Sequence, residues 1–142
     1  MQAVRKKLLI GIDPGVKTGF AMYDPAKKEL QLFTYKIHQA FNVLEQMAPF
    51  VDLEVTIEDP NKWTHFKNSA NAKAKMQGAG SVKRDFSAWR DFLNDWKIPF
   101  KAVRPDKTRN AYAYDENLFQ KITGYKKRCS EHARVAAMLI WK

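Results

Sequence analysis

Apolar and polar positions divide the chain into nine segments. Leu8-Leu9-Ile10-Gly11-Ile12 is an apolar run closed by Asp13-Pro14-Gly15, which predicts a buried strand and a turn. Gly19-Phe20-Ala21-Met22-Tyr23, stopped by Asp24-Pro25, predicts a second strand, and residues 30–35 a third. Short turns join the three, so an antiparallel meander is expected. Ala40, Val43, Leu44 and Met47 recur at helical spacing and predict a helix over 38–48, ended by Pro49. Val55-Thr56-Ile57 is β-branched and predicts a fourth strand ending in Glu58-Asp59-Pro60. Met76, Val82, Phe86, Trp89, Leu93 and Trp96 keep one face of a long helix over 70–96, with Gly78 and Gly80 allowing a break. Phe100-Lys101-Ala102-Val103 predicts a fifth strand, and 105–125 a helix or two short ones. Ser130 caps a last helix over 131–141, with Ala136, Leu139 and Ile140 inward.

The predicted order is βββαβαβαα. It implies an α/β fold: a mixed five-stranded sheet, its first three strands antiparallel, with helices on its faces. A right-handed crossover sets the fourth strand parallel to the first and beside it. The 142 residues fit one domain over 1–142. No apolar run approaches the roughly 20 residues of a membrane span. The one cysteine, Cys129, excludes an internal disulfide framework and a Cys-rich zinc site, and a reducing, cytoplasmic setting is the simplest expectation.

Charge changes the picture. The 25 Lys+Arg and 15 Asp+Glu give a net +10. Residues 1–60 hold seven basic and eight acidic side chains, whereas 61–142 hold eighteen and seven. A basic surface of this kind suits a polyanion, since each neutralised phosphate releases counterions. Aromatics are interleaved with the charge, at Trp63, Phe66, Tyr112 and Tyr114, where rings can stack on unpaired bases or fill a core.

Two acids close predicted strands. Alone, Asp13 reads as a turn former and Glu58 as a solvent-facing strand end. Together, on parallel neighbouring strands, they emerge at the carboxyl edge of the sheet, where α/β folds favour ligands. Adjacent carboxylates repel unless a cation or a proton lies between them, and hard oxygen donors suit Mg²⁺. Two such ions about 4 Å apart are what phosphodiester cleavage uses. Third-ligand candidates are Glu131 and His132, at the start of the last helix; alternation turns Asp59 to the opposite face from Glu58.

Ile10-Gly11-Ile12-Asp13-Pro14-Gly15, continuing through Thr18-Gly19-Phe20-Ala21, resembles the opening of RuvC-type Holliday junction resolvases of the RNase H-like superfamily. Ile57-Glu58 is similar to that family's second motif, and the helix from Glu131-His132 to Leu139-Ile140 to its third. The resemblance implies a Mg²⁺-dependent endonuclease, with Mn²⁺ able to substitute, that cuts four-way DNA junctions as a homodimer. It implies metal ligands at Asp13, Glu58 and His132, with Glu131 a further catalytic candidate. The family pattern expects Asp three residues after His132, where this chain has Val135. The resemblance also implies an aromatic stacking near the junction crossover, for which Trp63 and Phe66 are candidates. Lys67, Lys73, Lys75, Lys83 and Arg84, then Arg104, Lys107 and Arg109, then Lys126, Lys127 and Arg128 form three basic clusters suited to tracking phosphates. Lys107 is a further candidate for orienting the attacked phosphate. The helix with Phe41, Val43, Leu44 and Met47 and the long helix after residue 70 are candidate dimer faces. No helicase partner is legible.

Val135 motivates one alternative, a catalytically weakened or silent junction-binding protein. Others are a related nuclease acting on other branched DNA or RNA–DNA hybrids, and a sugar-kinase-like nucleotide binder, which the chain's length and lack of a second glycine-rich phosphate loop disfavour.

Overall fold

The structure, a computed structural model, describes residues 5–60 and 72–141, with the side chains of 72–79 and Val82 outside the described set. Strand β1 (Lys7–Asp13) sends Leu8, Ile10 and Ile12 to one face of the sheet and Leu9, Gly11 and Asp13 to the other, following the two-residue period of a strand. β2 (Thr18–Asp24) and β3 (Glu29–Tyr35) continue as an antiparallel meander. Helix α1 (Ile37–Met47) then crosses to β4 (Asp52–Glu58), which lies parallel to β1. Helix α2 (Ala72–Asp95) leads to β5 (Phe100–Val103), parallel to β4. Three helices close the chain: α3 (Lys107–Tyr114), α4 (Glu116–Thr123) and α5 (Glu131–Ile140). The sheet order is β3-β2-β1-β4-β5.

One face of the sheet packs on α1 and α2. Ile10, Ile12, Phe20, Val55 and Ile57 meet Ala40, Leu44, Phe86, Trp89 and Leu93 there. Phe41 stacks on Phe92 with ring centroids 4.3 Å apart and meets Trp89 edge-on at 4.6 Å. Such pairs contribute about 0.5–1.5 kcal/mol each beyond burial. The apolar face of α1 is therefore occupied by this chain's own core. The opposite face packs on α4 and α5, where Ala21 and Leu32 meet Phe119, Ala133, Ala136, Ala137 and Ile140.

Two expectations left open are decided, and one is corrected. The segment after β5 forms two short helices, so three helices follow β5. Asp115 causes the division: it ends α3, and its carboxylate accepts the Leu118 N–H to cap α4. α2 runs unbroken through Gly78 and Gly80, since the packing of its later turns outweighs a propensity cost of about 1 kcal/mol per glycine. Trp96 lies just past the helix end and is 44% exposed, because the chain turns at Lys97, whose φ is positive. Among the described residues no helix is long and apolar enough to cross a membrane.

Candidate active site

Asp13 is the last residue of β1 and Glu58 the last of β4. The strands run parallel in register Ile12↔Ile57, so the next residue of each leaves the sheet beside the other at its carboxyl edge. Ile12 and Ile57 face α1 and α2, so alternation turns both acids toward α5. Their side chains are only 15% and 14% exposed. Burial raises the pKa of Asp13, against the lowering effect of His132. Burial also raises that of Glu58, and the negative charge of Asp13 pushes it further.

Helix α5 brings His132 to this edge. Ser130 caps it by accepting the Ala133 N–H, and its hydroxyl also meets that of Thr34 on β3. His132 Nδ1 lies 3.1 Å from Asp13 Oδ2, and that hydrogen bond raises the imidazole pKa. Two glycines permit the approach. A Cβ on Gly19, which pairs with Asp13 across the sheet, would overlap the His132 carbonyl; one on Gly11 would overlap that of Ala136. Glycine inside a strand marks close backbone approach, and here it lets α5 settle onto β1 and β2.

Helix α3 holds Glu58 from the other side. Asp106 caps it by accepting the Arg109 N–H at 2.9 Å. Arg109 Nη2 then donates to Glu58 Oε2 at 3.1 Å and to the Arg104 carbonyl at 2.9 Å, and Asn110 Nδ2 donates to the same Glu58 oxygen at 3.3 Å. Tyr114 stands exposed at the rim. Burial raises its phenol pKa, and the charges of Glu58, Glu131 and Asp13 add to the rise. Arg134, buried in α5, ties the two helices together: Nε donates to the Ala113 carbonyl at 2.6 Å and Nη1 to that of Cys129 at 3.0 Å.

No protein-family model matches the chain, and no curated protein matches it in sequence. Among solved structures, the chain is similar to T. thermophilus RuvC in complex with Holliday junction substrate. The TM-score is 0.57 over 93% of this chain and 89% of that one, at 15% identity. The fold is RNase H-like.

On this RNase H-like frame Asp13 meets His132 and lies near Glu58, but among the described residues no three His, Cys, Asp or Glu side chains are gathered closely enough to hold a metal ion. Glu131 is exposed at the first turn of α5, and its charge reaches Asp13, His132 and Tyr114. Val135 is buried. Asp59, one residue past β4, is buried and donates its N–H to the Val103 carbonyl. Arg104 and Lys107 are exposed between β5 and the first turn of α3; Lys126, Lys127 and Arg128 are exposed just before α5; Lys83 and Arg84 are exposed on α2. Arg109 differs from these, being largely buried against Glu58 rather than on the open surface. Trp63, Phe66 and Lys67 lie outside the described residues, as do the side chains of Lys73 and Lys75. Sequence reasoning missed Asn110 and Arg134. Arg134 had a signal, a charge inside the apolar run of α5. Asn110 had none, since its partner lies 52 residues away.

Proposed function

We propose that the chain, as a single nuclease domain, is a structure-selective endonuclease cleaving four-way DNA junctions by divalent-cation-dependent phosphodiester hydrolysis. The observation carrying this reading is the Asp13–Glu58 pair at the carboxyl edge of β1 and β4, in a fold similar to that of a protein solved with a Holliday junction. The donor chemistry fits Mg²⁺. Two hard carboxylates are neighbours at the sheet edge, and burial, with repulsion from Asp13 added, raises Glu58; a cation beside them would offset both. Asp13 and Glu58 would hold the ion, with His132 Nδ1 as third donor on exchanging its bond to Asp13; Mn²⁺ suits the same set. That exchange is required, because among the described residues no three His, Cys, Asp or Glu side chains stand ready-gathered for a metal. When bound, the ion supplies positive charge at the attacked phosphate and acidifies water.

The chain's own residues do the rest. Asn110 and Arg109 fix the Glu58 carboxylate, and Ser130 and the two glycines fix His132 over Asp13. The basic residues before α3 and before α5 flank this acidic centre and suit the phosphates of converging strands. Two copies about a two-fold axis would present two such sites to opposed strands.

A labelled synthetic four-way junction, incubated with Mg²⁺ beside linear duplex and an RNA–DNA hybrid, tests the reading. Paired nicks confined to the junction are expected; preferential cutting of the hybrid would move the chain to a related nuclease activity. Junction affinity should fall steeply with salt. Replacing Lys126, Lys127 and Arg128 together by Ala should make the slope of log affinity against log salt shallower by up to about 3. A slope that does not change removes these residues from the DNA surface.

Val135 favours a second reading, a junction-binding protein with weakened catalysis, because it is 4% exposed and apolar where the family pattern expects a ligand. Val135→Asp separates the two. Strongly increased cleavage identifies the weakened form. The nuclease reading expects no gain, and a loss of stability of about 2 kcal/mol or more from the buried carboxylate.

A further inference from the structure

Among the described basic residues, Arg109 alone bonds to Glu58. Its side chain is 22% exposed and rests on Glu58 itself. One nitrogen, Nη2, makes both the bond to Glu58 and the bond to the Arg104 carbonyl. Nε is buried, yet among the described residues it has no acceptor. A guanidinium carries five N–H donors in a planar fork that matches phosphate oxygens, so this one keeps donors in reserve. Its backbone is fixed as well, since its own N–H is the one that Asp106 accepts in capping α3.

We propose that Arg109 is the site's second positive charge: the chain takes a single divalent cation, and the Arg109 guanidinium binds a non-bridging oxygen of the scissile phosphodiester. This rests on the nuclease reading above. Three observations carry it. First, the turn of α5 after His132 offers buried Val135 and no acid, so nothing there extends the donor set toward a second ion. Second, charge balances with one ion. The two buried carboxylates, one divalent cation and Arg109 leave a single net positive charge, which one phosphodiester neutralises; Glu131, exposed at the start of α5, is screened by solvent. Third, Glu58 does not depend on Arg109 alone. Asn110 donates to the same oxygen, so the carboxylate stays oriented when the guanidinium turns to a phosphate. Positive charge held ready where negative charge develops acts in the transition state without reorganisation.

The test is a Mn²⁺ titration, read by the electron paramagnetic resonance signal of the free ion, on the parent chain, Arg109→Gln and Arg109→Lys, with junction cleavage measured in parallel. The parent should bind one Mn²⁺ per chain. Arg109→Gln should bind it about 3–10-fold more tightly, because a competing cation on Glu58 is gone. The same variant should cleave roughly 100–1000-fold more slowly, and Arg109→Lys should recover part of the loss. Two Mn²⁺ per parent chain would overturn the proposal, as would an Arg109→Gln variant cleaving at the parental rate. Joint loss of Mn²⁺ binding and cleavage in Arg109→Gln would also overturn it, reducing Arg109 to a prop for Glu58. A parent that binds one Mn²⁺ but cuts no DNA overturns the nuclease reading instead, and the phosphate role of Arg109 with it.

Discussion

Asp13→Asn is expected to slow Mg²⁺-dependent junction cleavage at least about 1000-fold, the equivalent of about 4 kcal/mol of barrier. The same change should leave the thermal midpoint, measured in EDTA at pH 7.5, at or above that of the parent. The two halves have one origin. Asp13 is a carboxylate at the sheet edge with Glu58 beside it, and burial raises its pKa despite the hydrogen bond from His132. A carboxylate whose pKa is raised by folding binds its proton more tightly in the folded state. Its contribution to stability is therefore fully present below the unfolded pKa and is lost as pH rises through the folded one. At pH 7.5 the ionised side chain is a net cost to the fold, and Asn removes that cost while removing a cation donor. Function and stability pull apart at such a site. Retained cleavage in Asp13→Asn would remove the residue from the chemistry. A midpoint several degrees lower would mark it as structural.

Gly19→Ala should lower folding stability by roughly 3 kcal/mol, the upper end of the overpacking range, because the added methyl meets backbone rather than a movable side chain. The obstacle is the His132 carbonyl, with the Ala133 nitrogen behind it. α5 can yield only by lifting from β2, which takes His132 away from Asp13. Cleavage should therefore fall even at temperatures where the variant remains folded. Gly80→Ala is the matched control. Among the described residues nothing lies within 4 Å of its Cβ position and it sits inside α2, so it should stabilise by about 0.5–1 kcal/mol. Equal stability of Gly19→Ala and the parent, by urea unfolding, would contradict the packing described for α5.

The strands and the acid pair were legible because they depend on local signals. Asp13 and Glu58 each close an apolar run, and one right-handed crossover is enough to set β1 beside β4. Alternation within β4 then gives the face. Ser130 was legible as a cap for the same reason: its partner is three residues away. What α3 does was not legible. Arg109 reads as one more surface cation in a basic stretch, and only the angle at which α3 returns over the sheet edge lays it on Glu58, 51 residues earlier. Gly11 and Gly19 lie within the resolvase-like opening, yet their packing role depends on a helix more than a hundred residues downstream. Trp96 failed for another reason. Its spacing continued the buried face of α2, but the helix stops at Asp95.

The most direct test of the account uses a supercoiled plasmid whose inverted repeat extrudes a cruciform. The chain with Mg²⁺ should convert it to full-length linear DNA through paired nicks on opposed strands, and Asp13→Asn should leave it intact. A plasmid lacking the repeat should stay supercoiled. Equal cutting of both plasmids, or none of either with active parent chain and Mg²⁺ present, would contradict a junction-resolving nuclease.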